Sequence, residues 1–231
     1  MDPRDIVCLL DVDNTLLDND RVIADLMKHL HDQVGQERQA RYWEIFEGLR
    51  SELGYADYLG ALQRYRVEHL DDPHLLTISH YLSNYPFANR LYAGSLDVVE
   101  HVKRFSTPVI LSDGDVVFQP RKVERSGLYE AVDGNALIYI HKEQQLADVQ
   151  RRHPADHYIL VDDKLRILDA VKRAWGDRVT TVFPRQGHYA NDPAVLANHP
   201  PADISIDRIG DLLAYEREAL LAASRGLVTA R

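Results

Sequence analysis

Five consecutive apolar residues, Ile6-Val-Cys-Leu-Leu10, run directly into Asp11-Val-Asp-Asn-Thr15. A run this short and this continuously apolar reads as a strand buried on both faces, the pattern of a parallel sheet. Open α/β sheets place their ligands just beyond the carboxyl ends of the strands. Asp11 and Asp13 stand at that point, with the hydroxyl of Thr15 two residues on. An Asp-x-Asp is common in turns, and Asp13-Asn14 can close an Asx-turn. Directly after a buried strand, the pair suits metal binding and covalent chemistry better than it suits ending a structural element.

Beyond this stretch the pattern changes. Over residues 21–85 the apolar spacing is helical. Val22, Leu26 and Leu30 mark one helix, and Tyr42, Ile45, Phe46 and Leu49 a second that Gly54 ends. Tyr58, Leu59, Leu62, Tyr65 and Val67 mark a third, and Leu75, Ile78 and Leu82 a fourth that stops near Pro86. The aromatics of this block (Tyr42, Trp43, Phe46, Tyr55, Tyr58, Tyr65, Tyr81) are expected mostly to pack the helices, with a pocket-lining role as the alternative.

From Pro86 strands and helices alternate. The pattern predicts a helix over 96–105 with Ser95 as N-cap, then a strand over 108–111 ending at Ser112-Asp113-Gly114. A helix over 116–125 is closed by Gly127, and a weaker strand over 136–140 leads to His141-Lys142. A helix from Glu143, a strand over 158–161 ending at Asp162-Asp163, a helix over 165–175 and a strand over 179–183 follow. A short strand over 203–206 and an amphipathic helix over 209–224, packed on the sheet, close the chain. Such alternation implies βαβ units with right-handed crossovers. The expected fold is α/β, a Rossmann-like parallel sheet formed by 1–17 and 90–231, carrying an inserted all-helical domain, 18–89.

At 231 residues and 45% hydrophobic content the chain can bury a substantial core. Its 27 Lys+Arg against 36 Asp+Glu give a formal charge of −9, which argues against a nucleic-acid surface. The single cysteine, Cys8, excludes an internal disulfide and a thiolate zinc cluster, and its place in the strand makes it a small core residue. The start, Met1-Asp-Pro-Arg-Asp5, lacks the basic, then apolar pattern of a signal peptide. No apolar run reaches the roughly 20 residues that span a bilayer. A cytoplasmic protein is expected, monomeric or homodimeric, without nucleic-acid or membrane partners.

In a parallel sheet all the strand ends share one edge, so groups distant in sequence can converge there. The first strand brings Asp11 and Asp13, the second Ser112, the third Lys142, the fourth Asp162 and Asp163. Carboxylates crowded in one crevice repel one another unless a cation joins them. Oxygen donors without Cys or paired His indicate Mg²⁺, which takes one or two carboxylates, waters and substrate phosphate. A lysine and a hydroxyl beside that metal would complete a phosphoryl-binding cradle.

The whole arrangement resembles the haloacid dehalogenase-like superfamily. Asp11-Val-Asp-Asn-Thr15 is similar to its first motif, Ser112 to the hydroxyl of the second, Lys142 to the lysine of the third, and Asp162-Asp163 to the acidic pair of the fourth. The helical block lies where many members insert a mobile cap. The context Tyr139-Ile-His-Lys-Glu143 departs from the Gly-Lys-Pro common at the third motif, so Lys164 stands as the alternative lysine. The resemblance implies a Mg²⁺-dependent phosphatase acting on a small phosphorylated metabolite through an aspartyl-phosphate. Asp11 would be the nucleophile and Asp13 the general acid and base, its carbonyl joining Asp11 and Asp163 on the metal with Asp162 in support. Ser112 and the N–H of Asp113 would hold phosphoryl oxygens, and Lys142 would offset charge. Thr15 is expected to bond turn backbone. The alternatives are a 2-haloacid dehalogenase, a phosphomutase of the same fold, or a catalytically idle binding protein. Arg185-Gln-Gly-His-Tyr189 follows the fifth strand, and an ordinary turn is preferred there over contact of Arg185 or His188 with substrate. His141 is expected at the surface.

Overall fold

The computed structural model describes residues 5–225. Residues 1–4, part of the stretch read as lacking a signal peptide, and 226–231, the end of the expected core segment, lie outside the described residues.

Strand β1, Ile6–Leu10, is the centre of a six-stranded sheet. Its side chains divide as a pleat requires, with Ile6, Cys8 and Leu10 in one apolar cluster and Val7 and Leu9 in the other. All five are buried, and each fully buried leucine contributes about 2 kcal/mol. Burial also pushes the Cys8 thiol up to about 12, as expected of a core cysteine. The other strands are β2 (Thr107–Asp113), β3 (Ala136–Tyr139), β4 (His157–Val161), β5 (Val179–Pro184) and β6 (Ile204–Ile206). The order is β3-β2-β1-β4-β5-β6, and every neighbouring pair is parallel. Connections run outward from β1 in both directions, which opens a crevice at the carboxyl ends of β1, β2 and β4.

After β1 the chain first forms three helices of the insertion: α1 (Asn19–Leu53), α2 (Tyr58–Glu68) and α3 (Leu75–Asn84). The first two helical patterns of the sequence merge in α1, which breaks its helical backbone only at Gly35 (φ 81, ψ 171). Gly54 ends it in the left-handed region, as its sequence position predicts. The chain leaves and re-enters the sheet through adjacent connections, where Asp18 N–H donates to Arg90 O (2.8 Å) and Tyr92 N–H to Leu16 O (3.0 Å). Val67, assigned to an apolar stripe, is 68% exposed and projects from the outer side of α2. Among the described residues no helix is long and apolar enough to cross a membrane.

The rest of the chain supplies α4 (Ser95–Lys103), α5 (Phe118–Arg125), α6 (Leu128–Ala131), α7 (Leu146–Arg152), α8 (Leu165–Trp175), α9 (Pro193–Asn198) and α10 (Arg217–Ala223). Four local expectations need correction. Ser95 does not cap α4; Gly94 takes that position at φ 86, while Ser95 Oγ donates to Leu16 O (2.7 Å), tying the helix to the loop after β1. The helix expected from residue 116 starts at Phe118, because Asp115 Oδ1 accepts the N–H groups of Val117 and Phe118 (2.8 and 2.6 Å). The helix expected from Glu143 is a 3₁₀ turn, Lys142–Gln144, before α7. The closing helix divides into a 3₁₀ turn, Ile209–Ala214, and α10, with Tyr215 and Glu216 extended between them. There the carbonyl of Tyr215 meets His101 Nε2 (2.9 Å) in place of a helical N–H.

Candidate active site

The loop 11–17 is folded tightly over the end of β1. Leu16 N–H and Leu17 N–H both donate to Val12 O, and Asn14 takes a left-handed φ of 59. From there Asn14 Oδ1 accepts the N–H groups of Asn19 and Asp20 (3.0 and 3.1 Å), satisfying the orphan donors at the start of α1. The same loop thus presents the two aspartates and launches the helical insertion.

Asp11 is buried. Lys142 Nζ donates to its Oδ1 (2.5 Å) and Thr15 Oγ1 to its Oδ2 (3.2 Å). Thr15 does more than bond turn backbone: its Oγ1 also accepts the N–H of Asp163 (3.0 Å), joining the ends of β1 and β4. Lys142 lies between Asp11 and Asp162, ion-paired with Asp162 Oδ2 at 2.6 Å, and donates further to Leu111 O (3.2 Å). Burial alone would push this ammonium down, but Asp11, Asp162 and Asp113 outweigh it and hold the lysine above its ordinary value.

Asp162 and Asp163 are both buried at the end of β4. Asp162 Oδ1 accepts the N–H of Lys164 (2.8 Å), whereas neither carboxylate oxygen of Asp163 has a donor among the described residues. Ligand atoms of Asp11, Asp162 and Asp163 all lie within 4.8 Å of one another. Burial raises the pKa of Asp163 well above the carboxylate range; Lys164 opposes this, and Asp162 adds to it. Burial also raises Asp162, against the pull of Lys142. A buried carboxylate with two unpaired oxygens beside two further carboxylates is a donor set that a hard divalent cation fits.

Lys164, the alternative lysine, is half-buried with its Nζ 5.7 Å from the centre of the Tyr189 ring and makes no ion pair within 4 Å among the described residues. Geometrically it is Lys142, not Lys164, that touches Asp11.

Asp13 differs from Asp11. Its side chain is 26% exposed and faces a cavity of about 640 Å³. Lys122 Nζ donates to its Oδ1 (2.6 Å), and Gln119 Nε2 lies 3.4 Å from its Oδ2 and 2.9 Å from Ser112 Oγ. Neither Lys122 nor Gln119 was singled out from the sequence. The available signal was helical phase: Phe118, Gln119, Lys122 and Val123 share the buried face of α5.

Ser112 is buried at the end of β2, and Asp113 Oδ1 accepts the N–H of Lys142 (2.7 Å). Burial, only partly opposed by Lys142, raises Asp113 to about 6. A carboxyl whose proton is held more tightly in the folded chain favours folding when protonated. Its contribution is therefore lost as pH rises from about 4 through about 6. Asp113→Asn keeps an acceptor for Lys142 N–H. The variant is expected to exceed the parent in stability by about 1–2 kcal/mol at pH 8, allowing for solvent on one side, and to match it near pH 4, as read by urea unfolding at the two pH values.

The cavity is walled by both parts of the chain. Phe46, Tyr55 and Tyr58 of the insertion line it, so three of its aromatics face the pocket while Tyr42 and Tyr65 are packed within the helices. His141, expected at the surface, lines it too and rests against Gly54; a Cβ on Gly54 would stand 2.8 Å from the imidazole. The loop after β5, preferred as an ordinary turn, also contributes to the wall. Gln186 Nε2 donates to Thr15 O (3.3 Å), His188 Nδ1 meets Asp20 Oδ1 (2.6 Å), and Tyr189 Oη accepts from Arg50 Nη2 (2.8 Å). His188 and Tyr189 line the cavity; Arg185 does not. Gly187 makes this approach possible, since a Cβ there would meet Asn14 Cβ at 2.6 Å.

Residues 7–183, most of the chain, match the profile of the haloacid dehalogenase-like hydrolases. The chain belongs to that family. A solved structure described as a haloacid dehalogenase-like hydrolase, from Burkholderia xenovorans, is 61% identical, with 93% of this chain and 100% of that one covered and a TM-score of 0.88. Two more distant structures share the fold at 16% identity and a TM-score of 0.59. One is the HAD-hydrolase YfnB of Bacillus subtilis, bound to magnesium, with 90% of this chain and 96% of that one covered. The other is the L-2-haloacid dehalogenase of Xanthobacter autotrophicus, at 91% and 97%. No curated protein sequence matches the chain. Within this hydrolase family the expected α/β class with its parallel sheet is thus borne out, and the crevice at the strand ends is where a family member's chemistry belongs.

Proposed function

We propose that this hydrolase is a Mg²⁺-dependent phosphatase of a small phosphorylated metabolite, working through a phosphorylated Asp11. The observation that carries the reading is Asp163, a buried carboxylate whose two oxygens have no hydrogen-bond partner among the described residues, beside Asp11 and Asp162. Asp11, Asp163 and the carbonyl of Asp13 would hold the cation, with Asp162 supporting them. Bound there, Mg²⁺ would offset the charge of the phosphoryl group as it meets Asp11.

The rest is the work of the chain's own groups. Lys142 and Thr15 fix the rotation of the Asp11 carboxylate so that an oxygen attacks phosphorus and the ester P–O bond breaks. Asp13, on the cavity side, gives a proton to the departing oxygen and later takes one from the water that attacks the aspartyl-phosphate. The P–O bond to Asp11 then breaks, and inorganic phosphate and the original carboxylate result. Ser112 and the N–H of Asp113 hold phosphoryl oxygens, and Lys142 offsets their charge. Residues 18–89 form a cap over the described core residues 5–17 and 90–225; interdomain movement is described for the magnesium-bound B. subtilis protein. Closure would carry Tyr55 and Arg50 over the substrate and exclude water.

A second reading, a 2-haloacid dehalogenase, draws on one observation. Lys142 and Lys164 already stand by the three clustered carboxylates, an electrostatic balance that a metal-free displacement at carbon would need. Para-nitrophenyl phosphate hydrolysis with Mg²⁺ or with EDTA, run beside halide release from 2-chloropropionate, separates the two. Hydrolysis with Mg²⁺ that EDTA abolishes is expected. Halide release indifferent to EDTA, with no phosphate release, would reject the phosphatase.

A further inference from the structure

We propose that Lys122 is a positioning residue for Asp13, clamping its carboxylate toward the leaving oxygen of the substrate. The part of this that concerns the leaving group rests on the phosphatase reading; the clamp itself does not.

Lys122 is 1% exposed, on the inner face of α5. Burying an ammonium carries a desolvation cost that a leucine or methionine in the same place would avoid. Helix packing therefore gives no reason for a lysine here. Its ammonium is instead spent on the site. Nζ donates to Asp13 Oδ1 (2.6 Å) and to Asn19 Oδ1 (3.0 Å), and it lies 5.5 Å from the centre of the Phe118 ring. One turn earlier, Gln119 Nε2 reaches Ser112 Oγ and the second oxygen of Asp13. A single helical face therefore grips both oxygens of Asp13 and the hydroxyl at the end of β2. Without that grip an aspartate side chain has three staggered χ1 wells, and only some aim into the cavity.

The clamp also touches the insertion. Asn19 is the first residue of α1, and the ring of Tyr58 on α2 packs 4.8 Å from that of Phe118. The orientation of Asp13 is thereby tied to where the insertion begins.

The test is Lys122→Met, with kcat measured on an alkyl phosphate and on para-nitrophenyl phosphate. An alkoxide needs a proton to depart, whereas para-nitrophenolate does not, so misplacing Asp13 should penalise the alkyl ester selectively. We expect kcat on the alkyl ester to fall at least about tenfold more than on the aryl ester, with KM little changed. In an Asp13→Asn background the same substitution should add nothing. Equal losses on both esters would overturn the proposal. If the parent hydrolyses neither ester, the phosphatase reading fails and the crystal structure of Lys122→Met decides the clamp. A displaced or multiply placed Asp13 carboxylate supports it, and an unmoved one overturns it. If Lys122→Met does not fold, Lys122→Gln is read in the same way. Loss of the fold in both variants overturns the proposal, because the lysine would then serve helix packing.

Discussion

Asp11→Asn is expected to lower kcat on any phosphate ester by on the order of 10⁴-fold or more while leaving the fold intact. The size of the effect follows from the covalent step. An amide oxygen does not displace an alkoxide from phosphorus, and the remaining groups are arranged around a nucleophile that is no longer there. The fold should survive because asparagine keeps the shape and its amide oxygen can still accept from Lys142, with the amide nitrogen facing Thr15 Oγ1 as a donor. Removing one of three carboxylates that crowd within 4.8 Å also relieves repulsion. Single-turnover kinetics alongside a thermal melt check both halves. A variant that keeps more than a tenth of the parent rate would remove Asp11 from the chemistry.

Lys142→Met should damage both stability and activity. The ammonium is buried among Asp11, Asp162 and Asp113 and balances charges that solvent does not reach. Breaking a buried pair by deleting one partner costs about 3–5 kcal/mol, since the other charge is stranded. Protonation of the acids would absorb part of this, so the loss should shrink as pH falls. Activity should drop by on the order of 10³-fold, because the same lysine holds Asp11 in place and offsets charge on the phosphoryl group. Mg²⁺ should restore more stability to the variant than it gives the parent, a cation replacing a cation. Urea unfolding at several pH values, with and without Mg²⁺, reads all three effects. A variant as stable as the parent at neutral pH would show that Lys142 is not what neutralises the cluster.

The strands and their ends were legible because burial on both faces leaves continuous apolar runs that polar residues can interrupt only at the edge. Ile6–Leu10, His157–Val161 and the residues that follow them illustrate this. The pairing of distant segments was legible only through the rule that parallel strands share an edge. It was enough to gather Asp11, Asp162 and Asp163, though no sequence pattern could give Lys142 its place between Asp11 and Asp162.

What stayed hidden depends on tertiary contacts that override local preference. Lys122 belongs to no motif, and only the phase it shares with Phe118 and Val123 places it inward. Ser95 has the side chain of a cap but spends it on Leu16 O. The closing helix broke because His101, far away in sequence, offers the Tyr215 carbonyl a partner. Loop 185–189 read as a turn, and it is one; its closeness to Asn14 depends on a missing Cβ at Gly187 that composition does not distinguish from turn chemistry.

The central claim is that Asp11, Asp162 and Asp163 gather around one cation and that Asp11 accepts the phosphoryl group. Crystals grown with Mg²⁺ and beryllium fluoride, a mimic of a phosphoryl group on aspartate, test it most directly. The predicted result is a cation about 2.1 Å from oxygens of Asp11 and Asp163, with the fluoride adduct on the Asp11 carboxylate. A cation bound elsewhere, or an Asp11 that stays unmodified under those conditions while 2-chloropropionate esterifies it, would contradict the account.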